Sequence, residues 1–144
     1  MAVVYFDSSA LVKLVMSEEG SDLASDVWDG CDAAISSRLA FPEVCAALAA
    51  AERNKLITES EYLEAEAVWE MHWVAVRPVE LSAEVADGAG KLARALSLRG
   101  ADAVHLASAL TIGLDDLVVA VWDRQLHAAS LLAGMRVVPA SVSS

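Results

Sequence analysis

Short runs of β-branched and aromatic residues alternate with longer stretches of helical periodicity along the whole chain, and no two strand candidates are joined by a tight turn of the Asn-Gly type. Strands that never meet through a hairpin pair in parallel, and a parallel sheet needs helices over both faces to bury it. The expected fold is therefore α/β, with a mostly parallel central sheet of four to five strands flanked by helices on both faces. Strand candidates are residues 2–6, 33–36, 74–79, 117–122 and 136–138. Helical patterns cover 9–16, 18–28, 37–54, 58–73, 82–97, 102–110 and 124–132.

Local signals set the breaks between these elements. Asp7-Ser8-Ser9 stops the first strand and opens a helix capped by Ser8 or Ser9. Thr58 and Glu61 form a capping box. Pro42 is tolerable only in the first turn of its helix, and Pro78 marks an edge strand or a strand end. Gly88 and Gly90 each cost a helix about 1 kcal/mol relative to alanine, and Gly134 stops the last one. Trp69 and Trp73, one turn apart, read as core or interface packing. A single domain over 1–140 with a short tail at 141–144 accounts for the 144 residues.

Hydrophobic residues make up 56% of the chain, which is enough for a real core. The longest unbroken apolar run, 44–51, falls far short of the roughly 18 residues that span a bilayer. The first residues do not resemble a secretory leader, so a cytoplasmic protein without a membrane segment is expected. Cys31 and Cys45 lack metal-ligand spacing and are expected to be buried free thiols. The formal charge of −11 argues against non-specific nucleic-acid binding and suits a cation or a basic partner.

Four acids stand out by position. Asp7 and Asp123 each end a strand candidate, while Glu43 and Asp102 lie in or before the first turn of a helix. Taken singly, each is explained by capping or by the helix dipole. In a parallel sheet, however, strand ends and following helix starts share one edge, so the four can converge. Carboxylates gathered there repel one another unless a divalent cation joins them, and an all-oxygen set selects Mg²⁺ or Mn²⁺. Such ions suit phosphodiester hydrolysis. Lys13, Arg38, Arg99 and Arg124 lie near the acids in sequence and offer contacts to a phosphate backbone. His105, one turn after Asp102, reads more readily as a packing residue than as part of the site. Asp115 and Asp116 fall in a loop without a site role. No Gly-x-x-x-x-Gly-Lys or Gly-x-Ser-x-Gly motif is present, and Ser9 stands where an aspartyl phosphatase would carry its second aspartate.

Four stretches together resemble the PIN-domain ribonucleases, and within them the VapC-like toxins of toxin–antitoxin pairs. They are Asp7-Ser8-Ser9-Ala10-Leu11-Val12-Lys13, Pro42-Glu43-Val44, Gly100-Ala101-Asp102-Ala103-Val104-His105-Leu106-Ala107 and Trp122-Asp123-Arg124-Gln125-Leu126. The resemblance implies a PIN-domain fold and a Mg²⁺- or Mn²⁺-dependent endoribonuclease. Asp7, Glu43, Asp102 and Asp123 would be its metal-site acids, with Ser8 supporting Asp7. It also implies a homodimer, assembled into a heterotetramer or larger complex with an antitoxin whose basic C-terminal segment suits the acidic surface. One departure stands out: two residues before the last aspartate the family often has Thr or Ser, and this chain has Val121. The alternative reading is a catalytically weakened PIN-like module that mainly binds a protein partner.

Overall fold

The computed structural model of the protein describes residues 2–142. Five strands form one sheet in the order β3-β2-β1-β4-β5, and every neighbouring pair is parallel. The strands are β1 (Val3–Phe6), β2 (Ala33–Ser37), β3 (Val76–Val79), β4 (Val118–Ala120) and β5 (Arg136–Val138). Helices α1 (Ser8–Val15), α2 (Ser21–Gly30), α3 (Ala40–Arg53), α4 (Glu59–Ala75), α5 (Ala83–Leu96), α6 (Gly100–Ile112) and α7 (Arg124–Leu132) fill the connections. The parallel sheet follows from the alternation of elements, because each crossover needs a helix-length connection.

Side-chain alternation along β1 divides the molecule into two cores. Val4 and Phe6 point into one with Leu11, Val44, Leu48 and Trp69, so α1, α3 and α4 cover that face. Tyr5 points into the other with Val85, Leu106 and Leu126, beneath α5, α6 and α7. Trp69 is buried and packs against Phe41 and Trp73, in keeping with a packing role for the tryptophan pair. Pro78 lies in β3, the edge strand beside β2, where a residue without an N–H is tolerated.

Several boundaries differ from those expected, each for a local reason. Helix α2 starts at Ser21 rather than 18, because Gly20 takes a left-handed conformation (φ 91°) that breaks the pattern ahead of it. Helix α3 starts at Ala40, since Ser37 completes β2 and its hydroxyl accepts from the Leu39 N–H in the turn. The Thr58–Glu61 capping box forms, but α4 runs to Ala75, so β3 is shorter than residues 74–79 implied. Cys31 and Cys45 are free but half-buried rather than buried. Of the expected tail, residues 143 and 144 lie outside the described residues. No helix among the described residues is long and apolar enough to cross a membrane.

Candidate active site

The order of strands reverses direction between β1 and β4, and the turns that follow these two strands lie side by side. In a doubly wound sheet such a switch point is where loops part to leave a crevice. Asp7 follows β1 and Asp123 follows β4, each as the N-cap of the next helix. Asp7 Oδ1 accepts from the Ala10 N–H at 3.0 Å and from the Ser9 hydroxyl at 2.6 Å. Asp123 Oδ1 accepts from the Leu126 N–H at 2.9 Å. Capping and a place at the sheet edge are thus not alternatives, because one carboxylate oxygen serves the helix in each case.

Ser9 joins the two turns. Its hydroxyl accepts from the backbone N–H of Trp122 at 2.9 Å and of Asp123 at 3.3 Å while donating to Asp7. The expectation that Ser8 caps the helix or supports Asp7 is corrected here: Asp7 itself is the cap, and Ser9 supports it. Ser8 is the first residue of α1, and its side chain points elsewhere.

Asp102 lies in the first turn of α6, since that helix already begins at Gly100. The Arg99 guanidinium spans Asp102 and Asp123: Nε and Nη2 both reach Asp102 Oδ2 at 3.1 Å, and Nη2 reaches Asp123 Oδ2 at 3.1 Å. Burial pushes the Asp102 carboxyl above its ordinary value, Asp123 adds to that, and Arg99 opposes both. Asp7 is 3% exposed, and burial raises its pKa to about 6. His105 and the Ser9 and Ala10 hydrogen bonds hold it down, while the Asp123 charge pushes it further up. Asp7, Asp102 and Asp123 therefore share one electrostatic neighbourhood.

Glu43 enters from the first turn of α3 and meets His105 of α6. His105 Nε2 lies 2.7 Å from Glu43 Oε1 and 3.0 Å from Ser8 Oγ, and the Ser8 hydroxyl donates to Glu43 Oε1 at 2.5 Å. Burial alone would raise the Glu43 carboxyl, but the bonds from His105 and Ser8 outweigh it and hold the group below its ordinary value. The other ring nitrogen, Nδ1, lies 2.7 Å from the Tyr5 hydroxyl. A packing role for His105 is therefore too narrow. Its position one turn beyond Asp102 was the available signal; its partners, at positions 5, 8 and 43, come from three other parts of the chain.

The candidate bases differ in how far they are committed. Lys13 is 12% exposed, pairs with Glu18 at 3.1 Å, donates to the Glu19 carbonyl at 2.6 Å and lies over the Trp122 ring. Arg38 pairs with Glu80 at 2.6 Å. Arg99 is at the acids themselves, and Arg124 is exposed at the start of α7 beside Asp123. Val121 is fully buried in the core under α6 and α7, so its side chain is packing rather than polar support. Asp115 and Asp116 lie in the turn before β4, away from the four acids.

The donor set fits a hard divalent cation in its chemistry. It is all carboxylate oxygen, two of its members are pushed toward the protonated form by burial and by a neighbouring acid, and a guanidinium already lies between Asp102 and Asp123. Among the described residues no three His, Cys, Asp or Glu side chains stand in a ready metal-binding arrangement. Charge complementarity is in place, and side-chain closure is not.

The PIN domain model matches residues 4–133. The chain belongs to the PIN-domain family. The matched span includes all four acids. Over 142 residues the chain is 65% identical to Ribonuclease VapC45 of Mycobacterium tuberculosis, covering 99% of each protein. Among solved structures it is similar to PAE2754 from Pyrobaculum aerophilum, with a TM-score of 0.71 at 20% identity over 95% of this chain and 84% of that one. It is also similar to a toxin-antitoxin complex from Klebsiella pneumoniae, with a TM-score of 0.65 at 18% identity over 99% and 97%. At those identities the two structures speak for a common PIN fold alone.

Proposed function

We propose that the protein is a Mg²⁺- or Mn²⁺-dependent endoribonuclease acting as the toxin of a toxin–antitoxin pair. What supports this reading is the electrostatic coupling of Asp7 and Asp102 to Asp123 beside the switch point of the sheet, in a chain 65% identical over its length to a VapC ribonuclease. Asp7 and Asp102 would be the principal metal ligands, with Glu43 and Asp123 completing the site or orienting water. A bound divalent ion there supplies charge neutralisation at phosphate and a more acidic water. The chain's own part is to hold these carboxylates in a buried crevice, where their charges act through a lower dielectric than in water.

Arg99 and Arg124 are the bases best placed to contact an RNA backbone, because Arg99 stands at Asp102 and Asp123 and Arg124 is exposed beside Asp123, whereas Lys13 and Arg38 pair with Glu18 and Glu80. An antitoxin with a basic C-terminal segment suits the net charge of −11 and would meet the toxin as a homodimer in a larger complex. A chain working inside the cell that made both proteins fits this pairing.

The test is cleavage of RNA by purified protein with Mn²⁺. Asp7→Asn and Asp102→Asn should abolish cleavage without loss of fold. Full metal-dependent cleavage by a contaminant-free Asp7→Asn protein overturns the reading. The second reading, a weakened module that mainly captures a partner, is favoured by the apolar burial of Val121. Calorimetric titration with Mn²⁺ separates the two, because a module without divalent binding is not the enzyme.

A further inference from the structure

We propose that His105 is the positioning residue for Glu43: pinned at both ring nitrogens, by Tyr5 on one side and by Glu43 and Ser8 on the other, it fixes where the Glu43 carboxylate points. This inference rests on the reading of Glu43 as a member of a divalent-metal site. It concerns a residue outside the four acids.

The geometry runs from the interior of the sheet outward. Tyr5 is in the middle of β1, 1% exposed, and turns its ring toward α6, where it meets the His105 ring edge to face at 5.9 Å. Its hydroxyl reaches Nδ1 at 2.7 Å. His105 is 3% exposed, so its ring has no solvent partner to fall back on. On the far side, Nε2 lies within hydrogen-bond distance of both Glu43 Oε1 and Ser8 Oγ. An ionised carboxylate only accepts, so Nε2 carries the proton and donates. Nδ1 then accepts from the Tyr5 O–H in the neutral ring, or donates to the phenol oxygen in the imidazolium; the ring orientation is the same in both.

The arrangement does more than pack a histidine. Glu43 has a long side chain with several rotatable bonds on the first turn of α3. Both side-chain hydrogen bonds to the Glu43 carboxylate, from His105 and from Ser8, fall on Oε1, so one oxygen is held while Oε2 has no hydrogen-bond partner among the described residues. Ser8 is beside Asp7, so the same contact ties the Glu43 carboxylate to the turn that carries the first acid. A carboxylate ligand oriented by a buried donor is the usual second layer of a metal site, and losing such a donor typically costs about 10- to 100-fold in metal affinity or activity.

The experiment compares the intact protein with His105→Leu, His105→Gln and Tyr5→Phe. Leucine fills similar space and removes both polar contacts; glutamine keeps a donor able to reach Glu43; phenylalanine removes only the phenol oxygen. Mn²⁺ affinity is read by calorimetry, RNA cleavage as kcat and KM, and folding by circular dichroism. His105→Leu should bind Mn²⁺ about tenfold or more weakly and lose kcat with KM little changed. His105→Gln should recover part of both losses. A folded His105→Leu protein with intact Mn²⁺ affinity and kcat overturns the proposal. If His105→Leu does not fold, Tyr5→Phe carries the test: Mn²⁺ affinity weakened at least about threefold supports the proposal, and affinity equal to the parent overturns it. Failure of the underlying reading has a separate signature, since the parent protein would then neither bind Mn²⁺ nor cut RNA.

Discussion

The Ser9 hydroxyl donates to Asp7 Oδ1 at 2.6 Å and, on its acceptor side, takes the Asp123 N–H at 3.3 Å. One small side chain thus couples the turns after β1 and β4, which carry two of the four acids. Ser9→Ala removes a donor from a buried carboxylate and an acceptor from the Trp122 and Asp123 amides. Leaving buried polar groups without partners costs about 1 to 3 kcal/mol. Ser9→Ala should therefore lower stability by about that amount in urea unfolding, whereas Ser8→Ala, whose contacts are to Glu43 and His105, should mainly weaken cleavage.

Asp7 makes stability depend on pH in an uncommon direction for an aspartate. Its folded pKa, about 6, lies above the unfolded value near 3.9, so the folded state binds more protons between those values. Stability then falls as pH rises through this window, and the gap amounts to about 3 kcal/mol by pH 7. Asp7→Asn keeps the cap, because its amide oxygen accepts as the carboxylate did. In chelator at pH 7 this variant should be more stable than the parent by about 1 to 3 kcal/mol, with the advantage gone near pH 4. Urea unfolding at both pH values checks it, and Mn²⁺ should narrow the gap by binding the parent.

Arg99 lies where the charges of Asp102 and Asp123 meet, and its guanidinium is largely exposed. A cation at that position would compete with a divalent ion bound at the proposed site for the same oxygens. Arg99→Gln should tighten Mn²⁺ binding by up to about tenfold, the scale of one or two exposed charge pairs, while raising KM for RNA. Calorimetry and cleavage assays read the two effects separately, and both should fade at high salt.

Gly20 has φ of 91°, and a Cβ there would lie 2.7 Å from Trp122 Nε1. The residue before Asp123 therefore depends on a glycine in the α1–α2 turn. Gly20→Ala should destabilise the protein by about 1 to 2 kcal/mol through backbone strain alone. Displacement of the Trp122 ring should also alter tryptophan fluorescence and reduce cleavage.

The alternation of strands and helices was legible because burial imposes it residue by residue: a period of two in β1 and of about 3.6 in the helices. Boundaries were less so. Nothing local keeps Val74 and Ala75 from a strand, and they are helical because pairing between β2 and β3 begins only at Val76. Glu18 and Glu19 look like a helix start, and Gly20 behind them decides otherwise. Among the candidate site residues, the four acids announced themselves by recurring at strand ends and helix starts, a pattern of chain order. His105 did not, because what makes it more than a core residue is Tyr5, a hundred positions away, and Glu43, on another helix.

Chain order by itself determined a parallel α/β domain, its motifs carried the resemblance to the PIN family, and it offered Asp7, Glu43, Asp102 and Asp123 as candidate acids for one sheet edge. Only the tertiary structure decided how those acids are held. Asp7, Asp102 and Asp123 group around Arg99 and Ser9, while Glu43 is turned by His105 and Ser8. The reason is physical: periodicity is written along the chain, but a hydrogen bond between side chains depends on which elements pack together, and that is settled only when both cores close on the sheet.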